Sequence, residues 1–128
     1  MKRETLNKYS HKIYSQFGED GILLEMLKRL GKKNQDYWCV EFGARDGISD
    51  SNTLNLIKNN AYKAVLIEGE KNYFKKLCKN FPQEEIIKLN KFINFSGDNN
   101  LDNILKKTII PKNFDFLSID IDGCDYYI

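Results

Sequence analysis

The chain has 128 residues and a formal net charge of +2 at pH 7, and 41% of its residues are hydrophobic. This composition is typical of one globular domain with a core of its own, and the small charge does not indicate a nucleic-acid partner. No apolar run reaches the roughly 20 residues that cross a membrane. Residues 1–12 lack the apolar segment of a signal peptide. We therefore expect no membrane association.

The cysteines and the single histidine bear on redox compartment and metal content. Cys39, Cys78 and Cys124 are an odd number without CxxC spacing, which argues against a disulfide framework and predicts a reducing, cytoplasmic compartment. His11 has no Cys or His partner at ligand spacing, so we expect no zinc site.

The elements follow one another in a regular order. A first helix is predicted from Glu19 to Leu30, because apolar residues recur at helical spacing and Gly31 supplies a stop. Strands and helices alternate after it. The predicted strands are Tyr37–Phe42, Lys63–Glu68, Glu85–Asn90 and Phe114–Ile121. Three helices are predicted between the strands. The first starts near Ser51 or Asn52, both good caps, the second is capped by Asn72 and ended by Pro82, and the third occupies residues 99–107.

This alternation indicates right-handed βαβ units and a parallel sheet, and the near-continuous apolar strands indicate a sheet covered on both faces. We predict an α/β, Rossmann-like fold with about four parallel strands and helices on both faces. It forms a single domain, residues 1–128, with an N-terminal helix at 19–30 and cofactor-binding βαβ units at 37–128.

In such sheets ligands bind beyond the carboxyl ends of the strands. Acidic residues cluster there, in 41–47, 68–70 and 120–125, and residues 90–92 follow the third strand. The turn with Glu41, Gly43 and Gly47 allows close backbone approach, and the next helix start can offer N–H groups to a carboxylate or phosphate.

A second acid, Glu68, comes about twenty residues after the glycine turn, where a carboxylate can accept both hydroxyls of a ribose. Each motif alone also fits turn glycines and surface acids. Together, in a βαβ context, they favour an adenosine-bearing ligand. The turn lacks the G-x-G-x-x-G pattern of dinucleotide sites, and Asp46 would repel a pyrophosphate. The acids suit instead the cationic methionine part of S-adenosylmethionine (SAM), with Glu41 at the tip of the first strand.

Four motifs resemble those of the FkbM-type SAM-dependent methyltransferases, in order and over nearly the whole chain. They are YSQFGEDGIL (14–23), CVEFGARDGISDSNT (39–53), AVLIEGE (64–70) and FDFLSIDIDGCDYYI (114–128). The resemblance implies a class I methyltransferase fold with the strands in the order 3-2-1-4, truncated after strand four, and with SAM at the ends of strands one, two and four.

By the same resemblance, Glu41, Gly43 and Gly47 frame the methionine part and Glu68 holds the ribose. Residues 90–92 lie near the adenine, Asp120 faces the methyl-transfer region, and Gln16 and Glu19 form a lid. The cofactor-binding set so implied is Gln16, Glu41, Gly43, Ala44, Gly47, Glu68, Gly69, Asn90, Phe92 and Asp120.

The chain departs from the family in two ways. Common members carry Lys and Glu around the strand-four acid, where this chain has Ser118 and Asp122. Members also continue through three further strands, whereas this sequence stops at Ile128. We therefore expect a piece that holds the cofactor half and lacks the half that shapes the acceptor site. Strand four would then be an exposed edge, and we expect a homodimer or poor solubility.

The segment SIDIDGCD admits other interpretations. Asp120-x-Asp122-Gly123 is similar to the nucleophile motif of haloacid dehalogenase-type phosphatases, but that motif normally opens its fold. The spacing excludes an EF-hand calcium loop. A divalent metal at paired acids is a minor hypothesis, and Asp122 and Asp125 also fit a solvated turn.

Methyl transfer to a hydroxyl benefits from a general base, for which Asp120 and Asp122 are the candidates. The expected function is O-methyl transfer from SAM to a sugar, glycan or other small hydroxyl acceptor. An inactive SAM- or nucleotide-binding module and an NAD-type oxidoreductase half-domain are the alternatives.

Overall fold

The structure is a computed structural model that describes residues 5–31 and 34–120. A short 3₁₀ helix, Leu6–Tyr9, precedes four helices and four strands. In chain order these are α1 (Glu19–Leu30), β1 (Trp38–Phe42), α2 (Leu54–Asn59), β2 (Lys63–Ile67), α3 (Lys71–Asn80), β3 (Ile86–Leu89), α4 (Leu101–Lys106) and β4 (Phe116–Ile119). No helix within this part of the chain has both the length and the apolar character to cross a membrane.

The four strands form one parallel sheet in the order β3-β2-β1-β4, which confirms the predicted Rossmann-like α/β fold. Phe42 at the end of β1 is in register with Ile67 of β2 on one side and Ile119 of β4 on the other. Since the strands are parallel, their carboxyl ends meet at one edge of the sheet. The residues that follow each strand are thereby brought together.

Two apolar clusters cover the two faces of the sheet, because successive side chains of a strand point to opposite sides. Cys39 packs with residues of α1, α2 and α3, whereas Val40 and Phe42 pack with residues of α4. All three are almost fully buried. Burying a large apolar side chain contributes about 1.5–3 kcal/mol, so these clusters are the main source of stability.

Cys39 lies at the centre of β1 with no exposed surface, and its Sγ lies 3.7 Å from the carbonyl oxygen of Lys63. Burial raises the pKa of this thiol well above its ordinary range. The thiol therefore behaves as a small apolar group.

Helix α1 begins and ends where it was predicted, but two helix starts were predicted wrongly. The N-cap of α3 is Glu70 and not Asn72: the Glu70 carboxylate accepts the N–H groups of Asn72 (3.0 Å) and Tyr73 (2.9 Å). Helix α2 begins only at Leu54. The segment before it is diverted inward by a buried glutamate.

The strands are shorter than predicted. β4 spans Phe116–Ile119 and lies at the edge of the sheet that residues 34–120 form. A dimer through this edge stays a prediction.

Candidate functional site

A crevice of about 580 Å³ opens at the carboxyl edge of the sheet, where open α/β sheets bind ligands. Its volume falls within the range of about 300–1,000 Å³ that small-molecule sites occupy. Residues at or just after the carboxyl ends of all four strands contribute to it. The lining residues are Phe42, Gly43, Arg45, Glu68, Gly69, Glu70, Tyr73, Lys91, Phe92, Ile93 and Asp120.

Two further cavities among the described residues are smaller. One of about 420 Å³ is formed by α4 and the segment before β4, and one of about 430 Å³ runs between α1 and β4. Neither gathers residues from several strand ends, so the crevice is the better candidate for a functional site.

Glu68 is the acid at the centre of the crevice wall, 7% exposed. Its Oε2 accepts the N–H of Arg45 and its Oε1 accepts the N–H of Glu70, both at 2.7 Å. These bonds tie the turn after β1 to the end of β2. Each carboxylate oxygen has a further lone pair. Glu68 therefore keeps the capacity to accept ribose hydroxyls, the role that the sequence predicts.

Glu41 lies elsewhere, although it stands one residue before the end of the neighbouring strand. It is 4% exposed and does not line the crevice. Its Oε2 accepts the hydroxyls of Ser51 (2.9 Å) and Thr53, and its Oε1 accepts the N–H of Asn52 (3.1 Å). The pKa of Glu41 is raised by burial, which these hydrogen bonds only partly offset.

The structure thus does not bring the carboxylates of Glu41 and Glu68 together in one crevice. The physical reason is their position along the sheet: Glu41 is in register with Leu66, so Glu68 lies two residues further toward the carboxyl edge, and residues 51–53 enclose the Glu41 carboxylate. The direct contact with the methionine part that the resemblance implies for Glu41 has no support from this geometry.

The turn after β1 divides its residues between the crevice and the interior. Gly43 lines the crevice, whereas Ala44 is buried and donates its N–H to Ile67 O (3.1 Å). Gly47 has φ +76°, and a Cβ there would lie 2.4 Å from the ring of Phe81 and 2.7 Å from Leu77 of α3. Gly47 is therefore required for packing against α3, and neither it nor Ala44 lines the crevice.

The start of α2 does not offer its N–H groups to the crevice as expected. Ser51 Oγ accepts the N–H groups of Thr53 (3.2 Å) and Leu54 (3.0 Å). No residue of α2 lines the crevice. The protein itself caps this helix start.

One wall of the crevice carries an exposed aromatic ring, next to Gly69. Phe92 is 72% exposed, and its ring carbons would lie 2.4 Å from a Cβ at Gly69, so the ring rests on the glycine backbone. Asn90 donates its side-chain N–H groups to the carbonyl oxygens of Glu68 (2.8 Å) and Gly69 (3.1 Å). Asn90 thus shapes the wall from outside the crevice lining, and Phe92 presents an exposed ring.

Asp120, which follows β4, is exposed and lines the crevice near the end of β1: its N–H donates to Phe42 O at 3.4 Å. Asp122, the other predicted base, lies outside the described residues. Within residues 5–31 and 34–120, no group of three or more His, Cys, Asp or Glu residues is placed to hold a metal ion.

The opening motif does not reach the crevice. Gln16 is exposed and Glu19 lies in the groove between α1 and β4, so the lid stays a prediction. The buried acid of this motif is Asp20, which the sequence analysis did not single out. Its Oδ2 accepts the N–H groups of residues 13–15 at 2.7–2.9 Å and the Ser15 hydroxyl. Burial opposes ionisation of Asp20, but these donors lower its pKa below the ordinary value.

Arg45, Glu70 and Lys91 lie in the strand-end segments that the sequence indicated, but none was given a role of its own, and Tyr73 and Ile93 were missed. Arg45 adopts φ +53°, and its guanidinium carbon lies 5.1 Å from the ring centroid of Tyr73. Its Nη2 donates to the Tyr73 hydroxyl at 3.1 Å. The position of Arg45 between two turn glycines was the only sequence signal.

The fold and the crevice define a Rossmann-like α/β domain with a ligand-sized cleft at the carboxyl edge of its sheet. No family model, no curated protein and no solved structure matches the chain. A function is therefore argued from the residues of the crevice.

Proposed function

We propose that the protein is a SAM-dependent methyltransferase that transfers a methyl group to an oxygen of a sugar or another small hydroxyl compound. The observation that carries this proposal is that Glu68, Phe92 and Asp120 line one crevice at the carboxyl edge of a Rossmann-like sheet. Glu68 supplies a hydrogen-bond acceptor for hydroxyls, Phe92 an aromatic face and Asp120 a carboxylate. An adenosine that bears a cationic sulfonium requires these three groups.

Each group has a distinct task in the proposal. Glu68 accepts the ribose hydroxyls with the lone pairs that Arg45 and Glu70 leave unused. Phe92 stacks on the adenine, since an exposed ring held against a glycine backbone offers a flat apolar surface. Asp120 attracts the sulfonium by charge.

The reaction is an in-line displacement. The acceptor oxygen attacks the methyl carbon, the carbon–sulfur bond breaks, and neutral S-adenosylhomocysteine leaves with the electron pair on sulfur. The hydroxyl proton passes to a carboxylate, for which Asp120 is the candidate in the crevice. The protein mainly aligns donor and acceptor.

Glu41 acts indirectly in this proposal. It holds residues 51–53 and so fixes the chain between the glycine turn and α2. The same segment contacts β4, because Asn52 donates its side-chain N–H to Ser118 Oγ at 3.1 Å. We place the activity in the cytoplasm, in keeping with the cysteine pattern of the sequence.

Calorimetric titration with SAM, S-adenosylhomocysteine and NAD tests the proposal. SAM is expected to bind and NAD is not. Glu68→Ala is expected to weaken SAM binding at least about tenfold, since a charged hydrogen-bond acceptor is worth about 1.5–3 kcal/mol. Glu85→Ala, an exposed acid outside the crevice, is the matched control.

Binding of NAD in place of SAM would contradict the proposal and favour the oxidoreductase interpretation. A methyl-release assay with sugars then separates enzyme from binding module. SAM binding without turnover on any hydroxyl acceptor would favour the inactive module.

A further inference from the structure

Two cations stand on the rim of the crevice, Arg45 after β1 and Lys91 after β3. Within residues 5–31 and 34–120 neither forms an ion pair with a carboxylate, and Lys91 makes no hydrogen bond through its side chain. Asp46 and Asp50 act on Arg45 only at longer range. The rim thus carries positive charge that no described side chain neutralises at contact distance.

Two of the three acids that line the crevice are committed to backbone amides, and the third, Asp120, forms no ion pair with either cation among the described residues. Glu68 accepts the N–H groups of Arg45 and Glu70, and Glu70 accepts those of Asn72 and Tyr73. N–H donors stabilise the charge of a carboxylate where it stands. These acids therefore do not turn toward the rim cations.

Arg45 occupies a backbone conformation that costs free energy for any residue with a side chain. Its φ of +53° lies in the left-handed region, where glycine would sit without strain. The chain nevertheless has an arginine here. The guanidinium is held in one place by the Tyr73 ring and hydroxyl, so its donors are pre-organised at the mouth of the crevice.

We propose that Arg45 and Lys91 form an oxyanion subsite that binds a phosphoryl or carboxyl group of the methyl acceptor. The acceptor is then an anionic hydroxyl compound, such as a sugar phosphate or a uronate, rather than a neutral sugar. This inference rests on the proposed function. Arginine suits the task because its fork of N–H donors matches the oxygens of phosphates and carboxylates.

Titration of the whole chain with inorganic phosphate, measured by calorimetry, tests the subsite. Arg45→Gly and Lys91→Gln are each expected to weaken phosphate binding at least about tenfold, and Arg45→Lys less than Arg45→Gly. Lys79→Gln removes an exposed cation of α3 outside the crevice and is the matched control. Unchanged phosphate binding in Arg45→Gly would overturn the subsite.

Arg45→Gly also separates binding from folding, because glycine relieves the left-handed backbone. Its thermal midpoint is expected to equal or exceed that of the wild type. If Arg45→Gly loses phosphate binding but also has a lower thermal midpoint, and Lys79→Gln loses binding to the same extent, the specific subsite is overturned.

Methyl transfer to a hexose phosphate, a hexuronate and a neutral hexose identifies the group that is bound. Transfer to an acidic sugar that is faster than transfer to the neutral hexose, and that loses this advantage in Arg45→Gly, supports the inference. The preferred acidic sugar shows whether the subsite binds a phosphoryl or a carboxyl group. Equal rates with the neutral hexose overturn it. Arg45→Gly that weakens SAM but not phosphate also overturns it, since the anion would then be the carboxylate of SAM.

Failure of the two proposals is distinguishable. Phosphate binding that depends on Arg45 in a protein that does not bind SAM would overturn the methyltransferase proposal and the assignment to an acceptor, while leaving the oxyanion subsite itself in place.

Discussion

Glu41 and Glu68 lie at the ends of neighbouring parallel strands, yet they belong to different walls of the sheet edge. Glu41 and Gly47 form a buried wall, in which every contact is internal. Glu68 and Gly69 form a crevice wall, in which a carboxylate and an aromatic ring are open to a ligand. The position of an acid at a strand end therefore does not decide its role. Its role depends on whether it lies inside the strand, as Glu41 does in β1, or one residue beyond it, as Glu68 does after β2.

The largest expected effect lies in the buried wall. Glu41→Ala leaves the donors of Ser51, Asn52 and Thr53 without their acceptor, and we expect a loss of about 3 kcal/mol in the free energy of unfolding. Urea denaturation measures it. Glu41→Gln, which keeps an acceptor oxygen, is expected to cost about 1 kcal/mol. An equal loss in the free energy of unfolding for Glu41→Ala and for Glu85→Ala would mean that the buried hydrogen bonds of Glu41 do not stabilise the fold.

Gly47→Ala comes next, with an expected loss of about 2–3 kcal/mol, because the new methyl would collide with Leu77 and Phe81 and the backbone has positive φ. Gly31 is the matched control: its φ is +73°, but a Cβ added there would meet nothing within 4 Å. Gly31→Ala is expected to cost about 1 kcal/mol. A similar loss in both variants would mean that packing against α3 contributes nothing.

The pH dependence of stability distinguishes the buried acid by its sign. Burial raises the pKa of Glu41 above its ordinary value of 4.5, so between that value and the raised pKa the folded chain binds more protons than the unfolded chain. We expect the contribution of Glu41 to stability to decrease as pH rises from 4.5 through the raised pKa. The difference between wild type and Glu41→Gln in urea titrations across this range measures it, and a difference that grows with pH would contradict the raised pKa.

The smallest effect on stability is expected in the crevice wall. Gly69→Ala displaces only the exposed ring of Phe92, so we expect under about 0.5 kcal/mol of destabilisation. SAM binding is nevertheless expected to weaken, because the adenine loses its flat surface. Phe92→Leu is the companion variant. If Gly69→Ala binds SAM as the wild type does, Phe92 has no part in the site.

The sequence predicted the elements well where apolar runs and strong local signals coincide. Helix α1 has the predicted ends because Gly31 can adopt the φ of +73° that stops it. The parallel sheet followed from the alternation of strands and helices, whereas the strand order came from the family resemblance. The N-cap of α3 was mispredicted because Glu70 and Asn72 both can cap a helix, and only the path of the chain after Glu68 decides between them.

The crevice was only half predictable. Gly43, Glu68, Gly69, Phe92 and Asp120 follow strand ends and could be found by that rule alone. The inward turn of Glu41 depends on where residues 51–53 fold back. Arg45 and Tyr73 meet only because the turn after β1 packs against α3, and no local pattern encodes a contact between segments so far apart.

The buried thiol of Cys39 can report on local unfolding of the sheet around β1. The side chain has no exposed surface, and burial keeps it protonated, so a thiol reagent can attack only when β1 separates from its neighbours. The rate at which Cys39 is alkylated therefore measures how often the centre of the sheet opens. A ligand that bridges the ends of β1, β2 and β4 is expected to slow that rate.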